Sequence, residues 1–329
     1  MLLRRFFAML TLAVVVMPSF AEMPREVNFG IIATDSSTAL RGRWQPVLDD
    51  MAARVGVKVN AFFATDYAGV IEAMRFKKVD LAWFGNKSAI EAVDRAGGEV
   101  FVQTLDEDGV GGYYSLLITH VSSPFKTFDD VLKRGKEINF GIGDPNSTSG
   151  FAVPSYYVFA LNHIDPKTHF KTIRSANHET NLQAVLNRQL DVATNNTEQY
   201  AILEKRMPER AKEIRILWKS PLIASDPMVW RKDLDPELKA KLKAFFLAYG
   251  TSGAHAAEER KKILAIQKWV GFRESSNLQL VPIRQLELAR EKSKLEADAT
   301  LAPAEKQAKL AEINRKLAEL NAQLAQARK

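Results

Sequence analysis

The sequence predicts an α/β protein of two lobes joined by two crossovers, followed by a helical tail. Three observations carry this. Strand-like and helix-like patterns alternate from Val27 to Ala96. The alternation breaks at Gly109-Val110-Gly111-Gly112 and restarts as a second series from Val131 to Ile214. Strand spacing then returns at Met228–Arg231, beyond the turn-rich Lys219-Ser220-Pro221-Leu222. Alternating βα units build mostly parallel sheets with helices on both faces. A second series enclosed by two parts of the first places one lobe as an insertion in the other.

In the first series, Val27–Ala33 reads as a strand, Thr38–Val55 as a helix and Val57–Phe63 as a strand. Tyr67–Phe76 is a short helix, Val79–Phe84 a strand and Lys87–Ala96 a helix. Tyr113–His120 is a long strand leading into the first crossover. The second series has helices near Val131, Phe151, Asn181 and Glu198, and strands near Ile138, Phe170, Leu190 and Ile214. Pro236–Tyr249 is a helix of the returning first lobe. The expected division is 22–118 and 220–285 for the first lobe, 119–219 for the second, and 286–329 for the tail. In the tail, Pro303 suits the first position of a helix. Leu310, Ile313, Leu317, Leu320 and Leu324 recur at spacings of three and four, the narrow seam of a coiled coil. At 1.5 Å per residue that helix is roughly 40 Å long. Its partner is either a second copy, giving a homodimer, or the body of the same subunit.

Residues 1–21 read as a secretory signal. Arg4 and Arg5 precede an apolar run, Phe6–Met17, too short to span a membrane, and Pro18-Ser19-Phe20-Ala21 ends in small residues. No cysteine follows, so no lipid anchor is expected, and a periplasmic location fits. The chain has no cysteine at all, which excludes disulfides and cysteine-bound metals. The 46 Lys and Arg against 39 Asp and Glu give +7, which falls to +5 without Arg4 and Arg5. These charges are interspersed, as in Glu258-Glu259-Arg260-Lys261-Lys262, so a nucleic-acid partner is not expected.

The most informative segment is Gly143-Asp144-Pro145-Asn146-Ser147-Thr148-Ser149-Gly150. It joins the apolar strand Ile138–Ile142 to a helix beginning near Phe151. The first turn of a helix offers N–H groups without intrahelical partners, and the helix dipole makes that end positive. Ser147, Thr148 and Ser149 add hydroxyl donors, so the segment is an oxyanion trap without Lys or Arg. The alternative is an ordinary capped helix, for which Ser and Thr are also preferred. Other polar or aromatic residues stand at strand–helix junctions: Thr65-Asp66-Tyr67, Trp83-Phe84-Gly85-Asn86, Gly111-Gly112-Tyr113-Tyr114, Asn177-His178-Glu179-Thr180, Asn195-Asn196-Thr197-Glu198 and Ser225-Asp226-Pro227. Each is a cap, a turn or a ligand contact.

Ser147, His178 and Glu198 have the composition of a nucleophilic triad, but the chain has no G-x-S-x-G elbow. His120, His163, His169, His178 and His255 are scattered, without metal-ligand spacing. A binding protein without cofactor or metal is therefore expected in preference to an enzyme such as a phosphoryl hydrolase.

The blocks Asn28-Phe29-Gly30-Ile31-Ile32, Val59–Ala64, Asp66-Tyr67-Ala68-Gly69, Gly143–Phe151, His178-Glu179-Thr180-Asn181, Asp191–Glu198 and Trp218–Ile223 together resemble the phosphonate-binding proteins of bacterial ABC importers. Within that group the chain looks more like aminoalkylphosphonate binders than phosphite or phosphate binders. The resemblance implies a two-lobed periplasmic-binding-protein fold of type II, closing over its ligand and docking on a membrane permease with its ATPase. It implies that Ser147, Thr148 and Ser149, with His178 and Tyr67, hold the phosphonate, that Tyr113 lines the pocket, and that Glu198 and Asp226 hold the amino group of 2-aminoethylphosphonate. The alternative for the acidic pair is a salt bridge between lobes. The alternative for the ligand is another oxyanion, phosphite or phosphate.

Overall fold

The computed structural model describes residues 23–107, 109 and 111–327. The expected signal segment, 1–21, lies outside them.

Two sheets organise the chain. The first has six strands: β1 (Glu26–Ile31), β2 (Lys58–Phe63), β3 (Leu81–Trp83), β4 (Gly98–Asp106), β12 (Pro227–Arg231) and β13 (Trp269–Glu274), in the order β13-β4-β12-β3-β1-β2. Strand β1 pairs in parallel with β2 and β3, whereas β12 and β13 join antiparallel. The sheet is thus mixed, where the alternation pointed to a mostly parallel one. The second sheet has five strands: β6 (Ser115–His120), β7 (Asn139–Ile142), β8 (Thr172–Ser175), β9 (Val192–Asn196) and β10 (Ile214–Lys219), in the order β10-β6-β9-β7-β8. A two-stranded antiparallel ribbon of β5 (Gly112–Tyr113) and β11 (Ile223–Ala224) carries the two crossovers side by side.

The helices obey local capping rules. Ser36 caps α1 (Ser37–Val55), which ends at Gly56 in a left-handed conformation, φ 77°. Asp66 caps α2 (Tyr67–Arg75), and α3 (Asn86–Arg95) follows β3. In the second lobe, α4 (Phe128–Lys133) has a full capping box from Thr127 and Asp130. Asp165 caps the short α5 (Pro166–His169), Asn177 caps α6 (His178–Leu186), and Asn196 caps α7 (Thr197–Arg206). A single turn, α8 (Pro208–Ala211), leads to β10. Helices α9 (Pro236–Ala248) and α10 (Ala256–Ile266) return to the first lobe. Its core gathers Phe29, Trp44, Trp83, Phe246, Tyr249 and Trp269, while the second sheet buries separate clusters around Leu182 and Phe140.

Three expectations need correction. The helix expected near Phe151 begins at Thr148 and is wound as π-turns, Thr148–Ala152 and Ser155–Phe159. Ala152 N–H donates to the Ser147 carbonyl five residues back, at 3.0 Å. The long strand expected at Tyr113–His120 is two, because Tyr114 leaves the ribbon between β5 and β6. Strands β4 and β13 and helix α10 do not follow from the pattern. Strand β4 buries Gln103, Thr104 and Asp106, so its polar half hides the apolar alternation.

The tail helix α12 (Pro303–Ala327) folds back on α11 (Val281–Ala297). Gln285 donates to Asn321 at 2.7 Å and Lys292 to Asn314 at 2.9 Å, so the two run antiparallel. Ile313 is buried and Leu310, Leu317, Leu320 and Leu324 are half-buried, so the seam lies on the same subunit. Among the described residues, no helix is long and apolar enough to cross a membrane.

Candidate functional site

The strand ends of both sheets meet in a closed cleft. Hydrogen-bonding contacts between the lobes cross it. Lys87 N–H donates to Thr148 Oγ1 at 2.9 Å, Tyr67 N–H to Asp144 Oδ2 at 3.3 Å, and Glu179 N–H to the Thr34 carbonyl at 3.3 Å. Trp269 Nε1–H donates to Glu198 Oε1 at 3.0 Å, and the Gln267 amide lies beside the same carboxylate. Gly85 permits this approach: a Cβ there would come within 3.0 Å of Thr148 Oγ1.

One end of the cleft is the hydroxyl segment. Gly143 packs on Gly150 so tightly that a Cβ would lie 2.5 Å from the Gly150 Cα, which turns Ser147–Ser149 back over the end of β7. Ser147 caps the turn by accepting from Gly150 N–H at 3.0 Å. His178, first residue of α6, points its Nε2 at Ser147 Oγ (3.2 Å) and Ser149 Oγ (3.4 Å). Asn196 donates to Ser149 Oγ at 3.1 Å while its own oxygen caps α7 through Gln199 N–H at 2.7 Å. The Tyr67 hydroxyl faces Ser147. Burial lowers the His178 pKa to about 4, so the ring is neutral at pH 7, and its Nδ1 has no partner. Burial also raises the Tyr67 phenol well above its usual value. Cap and trap are therefore one arrangement. Ser147 caps, yet it stands in a cluster of buried donors that no protein anion occupies. Asp144 does not serve as that anion, since its oxygens already accept from Tyr67 and Asn146 N–H.

The other end is acidic. Trp83 Nε1–H donates to Asp226 Oδ2 at 2.9 Å, as Trp269 does to Glu198. These two indoles pack edge to face, 5.4 Å between centroids, so they bring together carboxylates that stand 28 residues apart on the two lobes. Tyr113 lies beside Asp226, and Ser225 donates to a third carboxylate, Asp106, at 2.6 Å. Burial is the main cause that raises Asp226 to about 7 and Glu198 well above the usual carboxylate range; mutual repulsion and Asp106 add to it. Burial likewise raises Tyr113. Among the described residues, no lysine or arginine forms an ion pair with Glu198 or Asp226, and Asp226 Oδ1 has no partner. The expected alternative, a salt bridge between lobes, is not formed there.

All eight expected positions are thus buried in one cleft: Tyr67, Tyr113, Ser147, Thr148, Ser149, His178, Glu198 and Asp226. Sequence reasoning did not find Asp106, Gln267 or Trp269. They lie on or beside β4 and β13, the strands it did not read. Trp269-Val270-Gly271-Phe272, apolar and strand-like, was the available signal. Among the described residues, no group of three or more acids and histidines is arranged to hold a metal ion.

Two lobes joined by a two-stranded ribbon and closed over a polar cleft have the architecture of a substrate-binding protein. Residues 29–280 match the periplasmic substrate-binding proteins of phosphonate ABC transporters, and the chain belongs to that family. It is 50% identical over 309 residues to the phosphonates-binding periplasmic protein of Escherichia coli K12, covering 94% of this chain and 90% of that one. The crystal structure of a binding-protein component of an ABC phosphonate transporter from Pseudomonas aeruginosa matches with a TM-score of 0.88 and 47% identity, over 94% of this chain and 100% of that one. A phosphate-import protein of Mycolicibacterium smegmatis is 27% identical over 239 residues, 68% of this chain and 71% of that one. These relatives bind and deliver; they are not enzymes, and this chain is the phosphonate-binding component of such an importer.

Proposed function

We propose that the ligand is an aminoalkylphosphonate, 2-aminoethylphosphonate by the fit of its two ends, captured in the periplasm and passed to a permease with its ATPase. The observation that carries this is the pair Glu198 and Asp226, buried without a protein cation. Two buried carboxylates beside an anion site repel a bare oxyanion. They are satisfied by a ligand that carries an ammonium a short chain away from its phosphonate. Ser147, Thr148 and Ser149 are assigned to the phosphonate oxygens. Thr148 accepts from Lys87 and keeps its own O–H to donate. His178 and Tyr67 complete that end, and Tyr113 walls the pocket between the two ends. Because Glu198 and Asp226 stand on different lobes, the ammonium is fully held only when the lobes close.

Calorimetry of ligand-stripped protein tests the reading. Tight binding of 2-aminoethylphosphonate, with methylphosphonate and phosphate much weaker, is expected. Equal or better binding of phosphate would reject the amino-group assignment and favour an inorganic oxyanion, the cargo named for the mycobacterial relative. The apolar seam of α12 packs on α11 of the same subunit, so a homodimer through α12 would have to use its exposed face. Such a dimer is expected to become a monomer by light scattering when the chain is truncated after Ala302; an oligomeric state that truncation leaves unchanged rejects it.

A further inference from the structure

Gln267 has no place in the assignments above, yet it is buried, 7% exposed, in a gap between α10 and β13 that touches the opposite lobe. With its nitrogen turned toward Glu198, the side-chain amide donates to both carboxylate oxygens at 3.1 Å. Two residues on, Trp269 donates to Oε1 of the same group. The backbone here is held firmly. Gln267 N–H closes α10 on the Ile263 carbonyl at 3.3 Å. The preceding carbonyl, Ile266, accepts from Arg43 at 3.4 Å, and Arg43 is locked by a buried 2.7 Å ion pair with Asp35. Glu198 itself belongs to the other lobe, on the first turn of α7.

We infer that Gln267 is a positioning and specificity residue: with Trp269 it orients Glu198 toward the ligand's ammonium when the cleft closes. The inference rests on the amino-phosphonate reading above. A carboxylate left to rotate in a buried cleft would have no fixed direction for a cation. Donors on both of its oxygens set its plane, stabilise its charge, and leave its remaining lone pairs facing the cleft. An amide suits this task because it adds donors without adding charge. A lysine here would neutralise Glu198 and abolish the cation site, and a carboxylate would repel it. The contact exists only between closed lobes, so Gln267 favours closure around ligands that need Glu198 ionised.

The test is calorimetry of Gln267→Met, nearly isosteric and without donors, with 2-aminoethylphosphonate and methylphosphonate. The variant is expected to lose about tenfold in affinity for the amino compound and less than about twofold for methylphosphonate, as for a lost hydrogen bond to a charged group. Equal losses for both ligands, or no loss for either, would overturn the inference, since a merely structural role does not change the ratio. Trp269→Phe, which keeps the ring and removes the donor, is expected to lower the same ratio and serves if Gln267→Met does not fold. Glu198→Gln run alongside separates the failures. If it too leaves the ratio unchanged, the amino-phosphonate reading itself fails; if it alone lowers the ratio, only the role of Gln267 does.

Discussion

The donors at the hydroxyl end of the cleft carry no full charge: Ser147, Thr148 and Ser149 offer dipoles, and burial keeps His178 neutral. The acidic end, across the same closed space, buries Glu198 and Asp226 with indole donors and no cation. On the reading proposed above, the two ends divide affinity from selectivity. Neutral donors accept any tetrahedral oxyanion and release it without breaking an ion pair, so they supply affinity with little selectivity. Uncompensated carboxylates raise the cost of the empty and the wrongly filled site alike, so they supply selectivity.

The largest expected effect falls at the neutral end. Replacing Ser147 and Ser149 together by Ala removes two donors to a charged ligand. Affinity is expected to drop by about a thousandfold for 2-aminoethylphosphonate and methylphosphonate alike. A loss confined to the amino compound would break the division of labour between the ends.

Next in size are the carboxylates. Glu198→Gln and Asp226→Asn are each expected to cost about thirtyfold with the amino compound and little with methylphosphonate, because each removes one charge from a buried pair with the ammonium. The ammonium also needs these groups ionised. Wild-type affinity for the amino compound is therefore expected to rise from pH 6 to pH 8, with part of that slope missing in Asp226→Asn. An identical slope in the variant would remove Asp226 from the cation site.

The smallest effect is on the ligand-free protein. The Asp226 carboxyl sits at about 7 when folded, above its usual 3.8. Between those values the folded protein holds a proton that the unfolded chain has released. This stabilising contribution is complete below about 3.8 and is lost as pH rises through about 7. Asp226→Asn does not ionise, so its melting temperature should exceed that of the wild type by a few degrees at pH 8, with the gain shrinking by pH 5. His178, lowered from 6.5 to about 4, acts in the opposite sense, losing stability as pH falls; comparing the two proteins at each pH cancels it. No gain at pH 8 would mean that the empty acidic end is not under electrostatic strain.

Much of this was legible in the chain. The alternation of β1 to α3, the Gly and Ser punctuation of 143–150, and the caps Asp66, Asn177 and Asn196 are local features, and local features show in sequence. Each cap is also the last residue before a helix that borders the cleft. The residues singled out as junctions therefore coincide with the residues that converge there. Several of the family blocks, Asp66–Gly69, Gly143–Phe151 and His178–Asn181 among them, are these same junctions, whereas Asn28–Ile32 and Val59–Ala64 follow the strands β1 and β2. The tail's repeat marked a helix with a narrow seam, but a repeat does not say what covers it.

What only the tertiary structure decided lies where distant segments meet. Strand β4 is invisible in the pattern because Gln103, Thr104 and Asp106 are buried as polar groups, and the partners of Gln103 and Asp106 lie far along the chain. Ser225 reaches Asp106 across 119 residues, and Trp269 reaches Glu198 across 71. That the Leu310–Leu324 seam lies on α11, that Thr148 touches Lys87 across the cleft, and that Gln267 stands behind Glu198 are likewise facts of closure and packing. Hydrophobic period and capping are written within about one turn of chain. The pairing of a buried charge is settled only by what folding brings within a few ångströms of it.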